Sequence, residues 1–490
     1  MNRPLRCLAA LAALAPAFAP AAEPNRPNVL FIAVDDLRPE FGPDGPARAP
    51  NLGRLAARGL TFGRAYCQQA VCSPSRTSLL TGCRPDTTKV WDLETHFRVA
   101  LPDVVALPEH FKRNGYVTRG LGKIYHPGFN DERSWSTPWS TESRRIYARP
   151  ENQALVQAGS NRVAVAKKAG RPVPRGSRGP AYESADVPDS TYTDGAVADR
   201  AVEILGRLKE GNRPFFFALG FARPHLPFVA PKRYWDLYDP AKIRLAANPF
   251  RPKDAPDYAV GPGGEMRAYH GIPAGPIPDA LARTLKHGYY ASISYMDAQL
   301  GRVLDELDRL GLRDNTIVVL WGDHGWKLGE HDGWCKHTNV ELDARAPLIL
   351  SAPGMAAGKT TPALVEFVDV YPTLAELAGL PLPAHLEGTS LAPLLIDPAR
   401  PWKRAAFSQY PRAIEGRRLM GYSMRTDRHR FTRWVDRSDP SKVDAVELYD
   451  HQTDPAENQN IAADPANAEL VARLTKEWQE GWREAIPPRP

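Results

Sequence analysis

The sequence predicts an α/β fold: a mostly parallel sheet with helices on both faces, followed by a small C-terminal α+β subdomain. Three observations carry this. Continuous apolar runs rich in β-branched and aromatic residues recur along the chain, as expected for strands buried on both faces. Amphipathic stretches alternate with them, the pattern of a parallel sheet covered by helices. Four of the runs are followed at once by ionisable residues, and open α/β sheets bind ligands at the carboxyl edge of their strands.

Residues 28–34, NVLFIAV, form the first predicted strand, and Asp35-Asp36 follow it. Residues 116–121 form a second, followed by Gly122, Lys123 and His126. The third, 214–221 (PFFFALGF), leads to Pro224-His225, and the fourth, 316–321 (TIVVLW), to Gly322, Asp323 and His324. Residues 348–351 make a fifth. Helices are expected over 192–209, before the third strand, and 281–310, before the fourth, where Val303, Leu304, Leu307 and Leu310 recur at helical spacing. Two long segments break the pattern: 167–189, rich in Pro, Gly, Ser and Arg, and 248–279, rich in Pro and Gly. Loops of that length are uncommon unless functional or disordered; these either shape a pocket or decorate the surface. Near residue 400 the character changes. Residues 422–435 and 446–449 read as strands with a turn between them, and 469–485 as an amphipathic terminal helix. The expected organisation is therefore 1–22, 23–400 and 401–490.

The first 22 residues have the form of an export signal. Arg3 and Arg6 precede a short apolar run, Leu8 to Phe18, and small residues ending in Ala21-Ala22. That run is too short for a membrane span, which needs about 20 residues, and no later stretch is long and apolar enough. The mature protein is thus expected outside the cytoplasm, in the periplasm or the medium. Loss of Arg3 and Arg6 takes the formal charge from +7 to +5. Mild basicity suits an anionic partner, but no nucleic-acid module is recognisable. Cys7 leaves with the signal, and Cys67, Cys72, Cys83 and Cys335 are too few to build a disulfide framework. Cys67 and Cys83 could pair or stay free.

The sharpest local signal is Cys72-Ser73-Pro74-Ser75-Arg76, continuing to Leu80-Thr81-Gly82. Ser73 and Pro74 are good N-cap and N1 residues, so Cys72 falls at a helix N-terminus, where partial positive charge favours anions. Arg76, one turn on, could grip a tetrahedral oxyanion with two N–H groups. Cys72 could be a thiolate nucleophile, a modified residue or a buried structural cysteine. Asp35, Asp36, Asp323 and His324 converge if their two strands are neighbours, and oxygen-rich ligands suit a hard cation, Ca²⁺ or Mg²⁺.

This block resembles the signature of the type I sulfatases, Cys-x-Pro-Ser-Arg followed by Leu-Thr-Gly. Residues 65–88 (AYCQQAVCSPSRTSLLTGCRPDTT), 122–128 (GKIYHPG), 221–228 (FARPHLPF) and 322–331 (GDHGWKLGEH), with Lys336 beyond, are similar in order and spacing to its iduronate-2-sulfatase-like branch. The resemblance implies an alkaline-phosphatase-like fold. It implies that a formylglycine-generating enzyme oxidises Cys72 to formylglycine, and that one Ca²⁺ is held by Asp35, Asp36, Asp323, His324 and residue 72. It implies a gem-diol that attacks sulfur, forms a covalent sulfate intermediate and then expels sulfate. Arg76 and His126 would hold and activate the diol. Lys123 and Lys336 would bind the sulfate, and His225, with Lys336, would protonate the leaving oxygen. Arg98, in residues 91–98 (WDLETHFR), and Trp326 lie in matched blocks as candidate contacts to a uronate carboxylate and a sugar ring.

The expected reaction is therefore sulfate-ester hydrolysis on a sulfated oligosaccharide or polysaccharide, best a 2-O-sulfated uronate. The rivals are a phosphatase or phosphodiesterase of the same superfold and a glycan-binding pseudosulfatase with unmodified Cys72. Asp369 reads as a helix cap, and 447–460 as a structural turn.

Overall fold

The computed structural model describes residues 26–40, 45–261 and 264–487; the expected export signal at 1–22 lies outside them. A seven-stranded sheet forms the centre. Its strands are β1 (Asn28–Val34), β2 (Leu60–Tyr66), β3 (Val117–Gly122), β4 (Phe215–Phe221), β5 (Thr316–Gly322), β6 (Leu348–Ser351) and β7 (Lys359–Glu366). The spatial order is β7-β2-β6-β5-β1-β4-β3. Only β6 runs against its neighbours. The fold is thus the mostly parallel, alkaline-phosphatase-like α/β architecture expected.

Every residue of β1, β4 and β5 is buried, which explains why these strands read as unbroken apolar runs. Side chains alternate between two cores. Leu30, Ile32 and Val34 meet Val197, Leu205, Leu300 and Leu304 on one face, supplied by the helices Thr193–Glu210 and Asp279–Arg309. Val29, Phe31 and Ala33 meet Leu79 and Leu80 on the other, supplied by helix α1 (Cys72–Thr81). Full burial of each large side chain contributes roughly 1.5–3 kcal/mol, so the sheet centre is a rigid platform.

The region 405–450 forms a four-stranded antiparallel sheet, β8 (Ala405–Ile414), β9 (Arg417–Thr426), β10 (His429–Asp436) and β11 (Val443–Asp450). The stretch 422–435, expected to be one strand, is a hairpin split by Asp427-Arg428, and the terminal helix is Ala468–Glu480. This sheet buttresses the loops of the main domain. Gln409 N donates to Gln68 O at 2.7 Å, Ser408 Oγ to Cys67 O at 2.6 Å and Arg412 Nη2 to His337 O at 2.7 Å. Buried charge ties the two parts together: Lys403 donates to Glu366 and twice to Asp369 at 2.7–2.8 Å, with Arg84 forked on Glu366. Asp369 therefore serves this ion cluster and the turn over Glu366–Asp369, rather than simply capping the following helix. In the 447–460 turn, Glu457 accepts from Arg430 and from Glu341 N, a structural role as expected.

Candidate active site

Register brings the four strand ends together. Val34 pairs with Phe221 on one side and Gly322 on the other, so Asp35-Asp36 and Asp323-His324 leave the sheet side by side. On the far side Gly122 pairs with Gly220. A Cβ on Gly220 would lie 2.1 Å from Lys123 O, and one on Gly122, whose φ is +74°, 2.2 Å from Gly220 O. Two glycines thus let the backbones close and deliver Lys123 to the cluster. Asp36 adopts φ 59°, an uncommon conformation for a residue with a side chain. Its N–H donates to Asp323 Oδ1 at 3.0 Å, and the Tyr289 hydroxyl donates to its carbonyl at 2.6 Å.

Cys72 opens α1, which begins two residues earlier than the Ser73-Pro74 pair suggests, with Val71 rather than Ser73 as the flanking residue. Its Sγ lies 3.3 Å from His324 Nε2, 3.5 Å from Asp35 Oδ1 and 3.8 Å from Lys123 Nζ. Burial pushes the thiol well above its ordinary pKa, and the Asp35 charge adds to this against Lys123 and Lys336. The environment therefore gives no support to a thiolate nucleophile, which needs a depressed pKa. Cys67, Cys83 and Cys335 are also buried free thiols, so Cys67 and Cys83 are not paired.

Arg76 is completely buried. Its Nε donates to Asp323 Oδ2 at 2.9 Å, Nη2 to Asp35 Oδ1 at 3.1 Å, and Nη1 to the carbonyls of Lys123 and Ile124. Arg76 does not present the oxyanion grip expected of it: the fork is spent on two carboxylates, which it fixes in place. Lys123 Nζ bonds Asp35 Oδ2. Lys336 Nζ lies 3.0 Å and 3.2 Å from the two Asp36 oxygens.

His225 is oriented by its own loop. Nδ1 lies 2.7 Å from Leu226 O, so that nitrogen carries a proton and Nε2 faces the cluster, 3.8 Å from Asp36. Burial would lower its pKa, but Asp36, Asp35 and Glu265 outweigh it and raise it above the ordinary imidazole value. His126 is opposite in character: burial, with the charges of Lys123 and Arg76, lowers its pKa to about 4. Its Nδ1 is buried without a partner among the described residues. The two imidazoles are thus biased in opposite directions, His225 towards donating a proton and His126 towards accepting one.

Two expected substrate contacts are corrected. Trp326 is fully buried, packs on Phe228 and lies under Lys336, whose Nζ is 4.8 Å from its ring centre; it cannot reach a sugar. Arg98 is clamped by Asp131 at 2.8 and 2.9 Å, by Glu109 at 2.8 Å and by the carbonyls of Pro102 and Val104. Its donors are consumed inside the protein.

Glu265, which no motif or strand offset singles out, completes the cluster. Its carboxylate bridges His225 Nε2 at 3.1 Å and Lys336 Nζ at 2.8 Å. Burial opposes its ionisation, but Lys336 and His225 hold its pKa well below the carboxylate range. It arrives from the long Pro/Gly-rich segment, where no periodicity marks a functional position.

The donor set fits a hard cation. Oxygens of Asp35, Asp36 and Asp323 lie within 4.8 Å of one another, and an Asp36 oxygen, Cys72 Sγ and the His324 ring nitrogen form an overlapping group of the same size. All are buried. Burial raises the Asp36 pKa and Asp35 adds to it, despite Lys336 and His225. Such a carboxylate gains from a divalent cation with oxygen ligands.

The sulfatase family model matches residues 27–380, and the model of the N-sulphoglucosamine sulphohydrolase C-terminal region matches 329–484. The chain is 35% identical to the iduronate 2-sulfatase of Mus musculus and 34% to that of Homo sapiens, each time over 91% of this chain and 93% of the relative. Among solved structures, a phosphonate monoester hydrolase from Silicibacter pomeroyi superposes with a TM-score of 0.73 at 25% identity, covering 94% of this chain and 96% of that one. With this likeness along its length, the chain belongs to the sulfatase family, in its iduronate 2-sulfatase-like branch, and is a sulfuric ester hydrolase.

Proposed function

We propose that the protein removes sulfate from a sulfated glycan, a 2-O-sulfated uronate, with formylglycine at residue 72 and one Ca²⁺. The observation that carries this is the position of Cys72: a helix N-terminus within 3.3–3.8 Å of His324, Asp35 and Lys123. The uronate rests on the likeness to iduronate 2-sulfatases. Residues 1–22 are read as an export signal, so the enzyme works in the periplasm or outside the cell, after maturation by a formylglycine-generating enzyme. Among the described residues no helix is long and apolar enough to cross a membrane.

Formylglycine, as its hydrate, would supply the nucleophile and the hydroxyl that later releases sulfate. Ca²⁺, held by Asp35, Asp36, Asp323, His324 and residue 72, would lower that hydroxyl's pKa and offset charge on the sulfate. The chain's own groups do the rest. Arg76 fixes Asp35 and Asp323. Lys123 and Lys336 present ammonium groups to the sulfate oxygens. His126, neutral, accepts a proton from the nucleophile, and His225, protonated at Nε2, gives one to the leaving oxygen.

The test is the mass of the tryptic peptide carrying residue 72, from protein made in its own host, with desulfation of 2-O-sulfated uronate oligosaccharides measured alongside. An aldehyde in place of the thiol, with sulfate release, is expected. An intact thiol in a host that matures other sulfatases, with glycan bound but not cleaved, would instead identify a pseudosulfatase. The likeness to a phosphonate monoester hydrolase favours one further reading, turnover of phosphonate or phosphate esters. Parallel assays with sulfate and phosphonate esters of the same alcohol separate the two.

A further inference from the structure

A cavity of about 950 Å³ lies apart from the catalytic cluster, between the helix Asp279–Arg309 and residues 237–245, with Glu40 and Arg48 at its edge. None of the cluster residues lines it. Its volume is at the top of the roughly 300–1,000 Å³ of small-molecule sites.

Two polar side chains of the helix, four residues apart and so on one face, line the cavity: Lys286 and Tyr290. Each is only 6% accessible. Yet neither the Lys286 ammonium nor the Tyr290 hydroxyl has a hydrogen bond or ion pair among the described residues. Buried polar groups are normally partnered, and a lone buried ammonium is costly. The carboxylates nearby are already taken. Arg38 bonds both Glu330 and Glu40, and Glu330 also accepts from Leu328 N at 2.6 Å. Burial, with the charge of Arg38, lowers the Lys286 pKa against the pull of Glu330 and Glu40.

The rest of the lining has the same sign. Arg48, Lys242 and Arg244 face two carboxylates, Glu40 and Asp239. Asp239 accepts from Ala241 N at 3.0 Å and lies 3.8 Å from Lys242. Arg48 and Arg244 are exposed and hold no ion pair among the described residues. Leu237, Ile243 and the ring of Tyr238 supply an apolar wall. A bare oxyanion would satisfy Lys286 and Tyr290 and leave most of the volume unfilled. An organic body against the apolar wall would fill it.

We propose that this cavity is a second ligand site, distinct from the active site, for a small organic molecule carrying a sulfate, sulfonate or phosphate group. Lys286 and Tyr290 donate to the oxyanion, and Arg48 and Arg244 add charge at the rim. The site does not depend on the identity of the glycan substrate.

The experiment titrates full-length wild type, K286M and Y290F with benzenesulfonate, which the enzyme cannot hydrolyse at an ester, and with inorganic sulfate, by calorimetry. Competitive inhibition of sulfate-ester hydrolysis by each anion reports the active site separately. Wild type is expected to bind one equivalent of benzenesulfonate beyond any that competes with substrate. That equivalent should weaken by about tenfold or more in K286M and about threefold in Y290F, with the inhibition constants unchanged. Inorganic sulfate should bind there more weakly than benzenesulfonate. No extra equivalent in wild type, an unchanged affinity in K286M, or a parallel change in the inhibition constants overturns the site. Inorganic sulfate bound there as tightly as benzenesulfonate overturns the organic occupant. Methionine keeps the unbranched stem without the buried charge, so K286M should unfold at or above the wild-type Tm, and Y290F removes a single hydroxyl.

Discussion

Replacing Glu265 by Gln keeps the shape and one oxygen acceptor but removes the charge that bridges His225 at 3.1 Å and Lys336 at 2.8 Å. Burial alone would lower the pKa of His225, and the three carboxylates Asp36, Asp35 and Glu265 reverse this. A bound cation takes up much of the charge on Asp36 and Asp35, whereas Glu265 is not among the proposed ligands and keeps its effect. A hydrogen bond to a charged partner is worth about 1.5–3 kcal/mol, and one pKa unit corresponds to about 1.4 kcal/mol. The substitution should therefore lower the His225 pKa by about one to two units. A group that must be protonated loses function as pH rises through its pKa, so the alkaline limb of the profile moves to lower pH and the acidic limb stays. The profile of kcat/KM reports the free enzyme, the state in which Glu265 holds Nε2. The assay is kcat/KM for a sulfated uronate against pH, wild type and E265Q, at saturating Ca²⁺. An alkaline limb that does not move, with activity merely scaled down at every pH, would refute the electrostatic role and leave Glu265 a packing element.

Three further outcomes are expected. Chelation with EDTA should abolish turnover and lower Tm, and Ca²⁺ at 100 times its Kd should restore about 2.7 kcal/mol of stability; a Tm indifferent to Ca²⁺ in calorimetry would reject the cation site. Lys403→Met strands the buried carboxylates of Glu366 and Asp369 and should cost about 3–5 kcal/mol, towards the lower end because Arg84 stays on Glu366. Urea unfolding checks this. Arg98→Ala leaves Glu109 and Asp131, both about 95% buried, without their main partner, and should cost about 3 kcal/mol. Its KM for a sulfated uronate should change no more than that for a sulfated sugar without a carboxylate; a selective rise for the uronate would restore Arg98 as a substrate contact.

Much of the fold is legible in the sequence because the central strands are buried on both faces. β1, β4 and β5 have no solvent side to encode, so each reads as a continuous apolar run. The two outer strands that close the sheet near β6 escaped notice for the same reason in reverse. In β2, LTFGRAY, Gly63 and Arg64 break the run, and β7, KTTPALVE, is half exposed with a proline and a register shift. The helix Pro150–Lys168 is equally silent in the sequence: it fully buries only Gly159 and Ala166, with Val156 partly packed on a small cluster, so it has no apolar stripe to betray it.

The site divides along the same line. Asp35, Asp36, Lys123, Asp323 and His324 sit at fixed short offsets from strands whose register is dictated by burial, so locating the strands locates the residues. The Cys72 block was readable from its helix-start chemistry and its family likeness. Neither signal states where a side chain points. Trp326 shares a matched block with Asp323 and His324, and Arg98 lies in a matched block of its own, yet Arg98 is consumed by Asp131 and Glu109 and Trp326 is sealed beneath Lys336. Glu265 is the complementary case. It touches His225 and Lys336 but hangs from a loop tied to the sheet by neither periodicity nor offset, and only its packing against two cations reveals it. The catalytic groups are tied to a fully buried sheet, where a shift of one residue would turn each strand's side chains to the wrong face.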